Sequence, residues 1–347
     1  MRPAGVVQQE IRGRMPGRLL IVAAGLVACL ALLSMTVGRY AGGATPVLSA
    51  MADLLTGSPP ADPLFSTVLW NVRLPRVVAG MVAGAALAAS GATFQGLFRN
   101  PLVSPDLLGV SVGASLGAAL GIFLSLHVLA IQGLAFAGGL MAVGAAYGVA
   151  AAVRHRDPVL TLVLTGIAIQ ALVGAGISLI KILADPYDQL PAITFWLLGS
   201  MTAVTRFDVL SILPAVALGL APLILLRWRI NLMTLGDEEA QSLGVDTRAV
   251  RLVTIAGATL VTAATVSVTG VIGWIGLIVP HAARMIFGPD FRVMLPGSML
   301  LGAGLLLIID MLARSIATIE VPLGILTAVV GAPFLLWLMA SGRRSWQ

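Results

Sequence analysis

Charged side chains are scarce in this sequence. Of its 347 residues, 58% are hydrophobic and only 10% are charged, whereas a soluble globular domain carries about 25% charged residues. So few charges cannot coat a water-soluble globule of this size, and the surface must face lipid. The alternating segments of an outer-membrane barrel are also missing, because the apolar runs are long and continuous. The sequence predicts an all-α integral membrane protein.

Cysteine and lysine occur once each. The single cysteine, Cys29, excludes an intramolecular disulfide. Apolar residues continue past it to Val37, which favours a spanning helix over a lipoprotein cleavage site. The single lysine, Lys181, follows isoleucine, whereas a phosphate-cradling loop needs a lysine after glycine. The chain is therefore predicted to have no catalytic residues and no ATPase activity of its own.

Patterns that bind metals or nucleic acids are equally sparse. The three histidines, His127, His155 and His281, lie far apart and form no paired metal-binding motif. We interpret them as structural or solvated, and predict no metal site and no cofactor. The net charge of +6 comes from basic residues distributed between apolar segments. Because they form no basic face, nucleic-acid binding is not expected.

Ten apolar runs approach the roughly 20 residues that a helix needs to cross the hydrocarbon. They cover residues 19–37, 74–94, 107–126, 129–153, 159–183, 209–226, 252–272, 275–287, 294–312 and 323–339. The eighth is short, so we expect it to be tilted or to cross only part of the bilayer. Residues 1–18 and 341–347 are predicted as cytoplasmic tails around a single transmembrane domain, 19–340.

The basic residues predict the orientation of the chain. With the N-terminus in the cytoplasm, fifteen of the 21 Lys and Arg residues fall on the cytoplasmic side, as the positive-inside rule favours. An even number of spans then places both termini in the cytoplasm. Two similar stretches, 84–87 and 257–260, lie in spans of opposite direction and indicate a possible inverted repeat.

The longest polar stretch inside the membrane domain covers residues 227–251. Its acidic run, 237–239, is expected in the first turn of a short helix, where it complements the helix dipole. Gly244 is expected to cap that helix, and Ala240 and Leu243 are expected to share its apolar face. Such a helix suits docking into a groove of a soluble partner. A self-contained loop helix is the alternative.

Two further features carry expectations. Turn signals at 185–191 and the aromatic pair Phe195 and Trp196 predict a short surface or re-entrant helix between the fifth and sixth spans. Asp310 is a carboxylate well inside an apolar run. Such acids mark ion pathways in secondary transporters, but a hydrogen bond to a neighbouring helix is the favoured interpretation. Without ion coupling, Asp310→Asn is expected to have a mild effect.

Several motifs in unbroken order across residues 73–339 resemble the FecCD family, the permease subunits of ABC importers for iron complexes, haem and cobalamin. They are RLPR at 73–76, GAALAASGATFQGLFRNPLVSPDLLGVSVGAS at 84–115, LG at 235–236 with SLG at 242–244, GVIGWIGLIVPH at 270–281, GPD at 288–290 and EVPLG at 320–324. Trp274 and Ile309 are small departures from the family pattern.

The resemblance implies a type II, BtuC-like ABC importer fold with ten spans, in the bacterial inner membrane. It implies a homodimer, two cytoplasmic ABC ATPase subunits and an extracytoplasmic substrate-binding protein. The residues that match the family's ATPase-coupling helix are Leu235, Gly236, Glu239, Ala240, Leu243 and Gly244. The positions that match binding-protein docking are Arg73, Arg76 and Arg314; snorkelling of these side chains to headgroups is the alternative.

The translocation pathway is expected at the dimer axis. Its candidate residues are Thr161, Thr165, Gln170 and Ser178 in the fifth span, with Asn100 and Pro101; helix packing is an equal alternative for the first four. The resemblance implies a cargo such as a ferric siderophore, haem or cobalamin, with molybdate or tungstate as the alternative within the family. An ion-coupled secondary transporter and a receptor without transport are the alternatives of another class.

Overall fold

The computed structural model describes residues 4–38, 43–60, 62–153 and 158–340, and this part of the chain is helical with no strand. The helices are α1 (Ala4–Thr36), α2 (Ala44–Thr56), α3 (Pro63–Val68), α4 (Leu74–Phe98), α5 (Val110–Phe123), α6 (Val128–Ala152), α7 (Pro158–Leu183), α8 (Gln189–Leu197), α9 (Arg206–Leu225), α10 (Arg227–Met233), α11 (Asp237–Ser242), α12 (Thr247–Thr269), α13 (Ile275–Phe287), α14 (Phe291–Ser315) and α15 (Leu323–Ala340). The all-α prediction is confirmed.

Within the described residues, eight helical stretches are long and apolar enough to cross a membrane, and α5 and α13 are shorter apolar helices. The 13 residues of α13 span about 20 Å at 1.5 Å per residue, so the predicted shortness of the eighth segment is confirmed. The third predicted segment, 107–126, is wrong at its start. A 3₁₀ turn covers Pro105–Leu108, and α5 begins only after Gly109, whose φ of 88° breaks the helix.

The second predicted span, 74–94, is also too short. The helix starts at Pro63, behind the N-cap Asp62, and passes through a π-helical turn at Leu69–Arg73 into α4. The predicted span began only after Arg73, and the prediction missed α2 and α3. Helix α1 likewise begins at Ala4, although its apolar part, Gly17–Thr36, agrees with the prediction. Residues 341–347 lie outside the described part.

Helices α4 and α12 form the centre of the molecule. Their apolar windows are 78% and 72% buried, against 6% for α7 and 17% for α15. The two central helices contact each other through Ser90, whose hydroxyl donates to the Ala258 carbonyl and accepts from Thr262 at 2.9 Å. Helix α4 packs against α13 and α14, and α12 packs against α5 and α6. Each central helix therefore packs against the two helices that follow the other central helix in the chain. This equivalence is the arrangement expected of the predicted repeat.

Two ends of the helix bundle carry the polar features. At one, α4 begins and α14 ends, and we call it the Arg76 end. At the other, α4 ends beside the segment that contains α11, and we call it the α11 end. Gly236 shows this proximity, because a Cβ placed on it would lie 3.6 Å from Nη1 of Arg99. The predicted short helix between the fifth and sixth spans is confirmed as α8.

Candidate functional site

The polar segment 227–251 folds into α10, α11 and the first turn of α12. Helix α11 begins with Asp237, Glu238 and Glu239, so the predicted short helix with an acidic first turn is confirmed. Gly244 follows it with φ of 81°, and its N–H donates to the Gln241 carbonyl at 2.9 Å. That left-handed glycine ends the helix as predicted.

The side chains of α11 divide into a buried and an exposed set. Ala240 is fully buried, whereas Leu243 is 58% exposed. The predicted common apolar face of these two residues is therefore wrong, because the chain already leaves helical geometry at Leu243, the C-cap. Leu235, also 58% exposed, and the exposed Glu239 lie with Leu243 on the surface. These three form the surface that a partner can contact.

An ion pair and a buried apolar contact attach α11 to the membrane helices. Both carboxylate oxygens of Asp237 accept from Arg251 of α12 at 2.8 Å. Ala240 belongs to the same apolar cluster as Ile230 and Met233 of α10, which packs against α4 and α14. Helix α11 is therefore in contact, directly or through α10, with the three long helices α4, α12 and α14.

At the Arg76 end, arginines and carboxylates form a buried ion-pair cluster. Nε of Arg76 lies 2.8 Å from Oδ1 of Asp310, and Nη2 of Arg76 lies 2.8 Å from Oε2 of Glu320. Nη2 of Arg314 lies 2.9 Å from Oδ2 of Asp310, whose side chain is fully buried. The favoured interpretation of Asp310, a partner on a neighbouring helix, is confirmed.

The arginines also hold the end of α1. Arg314 donates to the Ser34 hydroxyl at 2.7 Å and to the Val37 carbonyl at 2.9 Å. Arg73 donates to the Met35 carbonyl at 2.6 Å. Arg73, Arg76 and Arg314 are only 4%, 5% and 8% exposed. The end of α1 and the acids of the cluster therefore cover these three arginines within one chain; their contact with a binding protein stays a prediction.

Glu320 is the most accessible member of the cluster, with 24% of its side chain exposed. Burial by itself would raise its pKa, but the hydrogen bonds and charge of Arg76 outweigh burial, and the pKa of Glu320 is lowered. Its Oε2 also accepts from Thr202 at 2.9 Å. Glu320 lines a cavity of about 660 Å³ together with Trp196 of α8 and Asp208 of α9.

The sequence comparisons decide the family. The model of the FecCD transport family matches residues 26–341. This chain belongs to the FecCD family. It is 44% identical over 273 residues to the cobalamin import permease BtuC of Halobacterium salinarum, covering 78% of this chain and 73% of the relative. It is 42% identical over 277 residues to an iron chelatin permease of Helicobacter pylori, covering 79% and 82%. Other relatives are named for haem and for molybdate.

A solved structure has the same fold. It is an inward-facing ABC transporter of the metal-chelate type, with a TM-score of 0.83 and 34% identity over 94% of this chain and 99% of that one. The predicted fold class is therefore confirmed. The chain is an ABC importer permease of the FecCD family, a multi-pass membrane protein and a transport subunit rather than an ATPase.

Three of the predicted pathway residues on α7 of this FecCD permease donate hydrogen bonds to backbone carbonyls. Thr165 and Ser178 donate to the carbonyls of Thr161 and Gly174, one turn earlier in α7, at 2.8 and 3.0 Å. Gln170 donates to the Leu107 carbonyl at 2.8 Å and so attaches α7 to the turn before α5. Of these three contacts, only the Gln170 bond joins two elements and agrees with the helix-packing alternative; the transport role of all the candidates stays a prediction.

The loop candidates lie at the α11 end. The side chain of Asn100 accepts from the Leu102 N–H at 2.9 Å, which shapes the turn after α4, and Pro101 follows in that turn. Sequence reasoning missed Thr202 and Asp208, which line the large cavity, and the ion-pair partner Glu320. Glu320 stands in the family motif at 320–324, and that motif was the signal that could have identified it.

Proposed function

We propose that this FecCD permease is a homodimer that moves a metal chelate or a cobalamin-like corrinoid into the cytoplasm, driven by two ABC ATPase subunits. The observation that carries the proposal is α11. It presents Leu235, Glu239 and Leu243 on the surface while its buried side is attached to the long helices. An ATPase that grips this surface can move the spans, and ATP binding must then favour a different facing of the pathway from cargo delivery.

The α11 end is the cytoplasmic side in this proposal. The distribution of Lys and Arg supports it, since fifteen of 21 fall there. Both termini are then cytoplasmic, in the inner membrane. The Arg76 end faces the binding protein. A carboxylate of that protein would exchange with Glu320, the accessible partner of Arg76, and several such pairs would set orientation and encounter rate.

The proposed dimer interface uses α7 and α15. Both are apolar, and only 6% and 17% of their windows are buried within one chain. A helix that is apolar on all sides, and that is so little buried within one chain, must contact lipid or another protein. A passage between two copies of α7 would be lined by the polar candidates Thr165, Gln170 and Ser178, with Asn100 and Pro101 at its cytoplasmic end.

The proposed cargo is supported by relatives that are named for cobalamin, iron chelatin and haem, and molybdate is the alternative cargo. A secondary transporter is disfavoured, because Asp310 is already neutralised by Arg76 and Arg314. Uptake driven by an ion gradient through this acid would require it to release both partners.

Reconstitution tests the proposal. Vesicles that contain the permease, its ATPase and its binding protein should accumulate the cargo that the binding protein retains on purification, and only with ATP. Leu243→Ser should reduce uptake at least ten-fold with normal folding, because it removes an exposed apolar contact to the ATPase. The control is Leu55→Ser, an 86% exposed leucine on α2 at the opposite end. Accumulation without the ATPase, or labelling of 227–251 from outside, would contradict the proposal.

A further inference from the structure

Helices α6 and α12 enclose an apolar crevice that the proposed transport route does not use. Its volume is about 410 Å³. The α6 wall includes Leu140, Gly144 and Tyr147, and the α12 wall includes Leu252, Ala256 and Thr259. Each set repeats at intervals of three and four residues, so the crevice runs along the two helices rather than across them. No residue of α7 lines it, and it therefore lies away from the proposed passage.

One mouth of this crevice, at Leu252, shares a face of α12 with a cation. Arg248 is exposed and precedes the lining residue Leu252 by four positions on α12, so the two share a helix face. Tyr147 lies at the same end of the crevice, on α6. The sequence that follows α6 continues with Arg154 and Arg156. This mouth is at the α11 end, because α12 begins there.

The dimensions match one leaflet of a bilayer. Eleven residues separate Arg248 from Thr259, which is about 16 Å along an α-helix. Half of the bilayer hydrocarbon is about 15 Å thick. The distance from Arg248 to Thr259 along α12 therefore matches the thickness of one leaflet.

We propose that the α6–α12 crevice binds one anionic glycerophospholipid, with an acyl chain between the helices and the phosphate at Arg248. The apolar walls suit the chain, and a guanidinium donates strong, charge-assisted hydrogen bonds to phosphate. Basic sites between transmembrane helices on the cytoplasmic side recognise anionic headgroups in this way. Only the assignment to the cytoplasmic leaflet rests on the proposed function. A bound lipid would fix the separation of α6 and the central helix α12.

A larger side chain at Gly144 would fill the space of the acyl chain without disturbing the protein backbone. A Cβ on Gly144 would meet no atom within 4 Å, so a leucine there would occupy the crevice. Gly25 of α1 is the matched control, because its Cβ position is equally open and it lines no part of the crevice. Gly25→Leu therefore places the same side chain elsewhere on the lipid-facing surface.

Thr259 distinguishes a lipid chain from a polar ligand. It is 3% exposed, and its hydroxyl has no hydrogen-bond partner among the described residues. An acyl chain offers this hydroxyl nothing, so Thr259→Val should leave lipid retention unchanged. A ligand with a polar group deep in the crevice would be lost with that substitution.

Native mass spectrometry of the purified full-length permease, supplied with equal phosphatidylglycerol and phosphatidylethanolamine, tests the site. We expect phosphatidylglycerol to be retained preferentially. Arg248→Gln should lower its occupancy about five-fold, since one surface arginine contributes about 1 kcal/mol to anionic-lipid binding. Gly144→Leu should abolish specific retention of both lipids. Gly25→Leu and Arg229→Gln, an exposed arginine off the crevice, should retain the wild-type pattern.

Four outcomes would overturn the site. Three concern lipid retention: equal retention of the two lipids by the wild type, unchanged retention in Gly144→Leu, or loss of retention in Thr259→Val. The fourth is conversion of a dimer to a monomer by Gly144→Leu, which would identify a second copy as the occupant. The readout needs neither ATPase nor cargo. A protein that retains the lipid but fails to transport would refute the proposed function and leave the site standing. A protein that transports but retains no lipid would refute the site alone.

Discussion

Residue scale: Asp310 has two arginine partners and is fully buried. Removing one partner of a buried ion pair is strongly destabilising, because it leaves an uncompensated charge without water. The structure therefore replaces the sequence-based expectation that Asp310→Asn is mild. The carboxylate joins α14 to α4, and through Arg314 to the end of α1, so its loss affects three helices.

We expect Asp310→Asn to destabilise the protein by about 3–5 kcal/mol, because Arg76 and Arg314 would lose a shared counter-charge. Thermal unfolding of the detergent-purified variant measures this. Asp188→Asn is the control, since Asp188 is exposed and makes no side-chain cap on α8. The double variant Asp310→Asn with Arg314→Gln should recover part of the loss. An Asp310→Asn protein as stable as the control would exclude a structural role for the cluster.

Element scale: helices approach each other closely where glycine, which has no side chain, lies at the contact. Gly91 of α4 faces the start of α13, and Gly84 faces Gly302 of α14. Since lipid gives no hydrophobic drive for two helices to associate, membrane helices gain stability from close packing at small residues. The sequence alone could not pair Gly84 with Gly302.

Gly91→Ala should destabilise the protein by about 1–3 kcal/mol, because overpacking forces backbone shifts. The added Cβ would lie only 1.9 Å from the Gly276 carbonyl oxygen, and that oxygen belongs to a backbone that cannot rotate away. Gly25→Ala is the control, with nothing within 4 Å of its Cβ position. Chemical or thermal unfolding compares them. If both variants lost equal stability, the α4–α13 contact would not be the cause.

Element boundaries also show where sequence reasoning fails. Hydropathy located the apolar segments, but it treated Arg73 as the limit of a span, although the helix continues on both sides of it. A hydrogen bond from Arg73 to the Met35 carbonyl of α1 compensates the burial of that charge. A partner on a distant segment cannot be seen in a local sequence window. The shared face predicted for Ala240 and Leu243 failed for a local reason, because the helical geometry of α11 ends before Leu243.

Whole-molecule scale: the exposed apolar surfaces of α7 and α15 predict a dimer. In a Cys29→Ser background, Ser178→Cys on α7 should give a covalent dimer with a short bis-maleimide, because two copies of α7 would meet across the axis. Val149→Cys on α6, 50% exposed, is the control and should stay monomeric on denaturing gels. Cross-linking at Val149 and none at Ser178 would place the interface on another face.

The sequence by itself determined the membrane environment, the apolar helices, the acidic start of α11 and, through its motifs, the family. These follow from composition and from contacts within a few residues. Only the tertiary structure decided that Arg76 pairs with Glu320, 244 positions away, and that α4 and α12 form the core. Such pairs depend on how helices pack in three dimensions, and many partners of similar charge and size are compatible with one sequence until the fold selects among them.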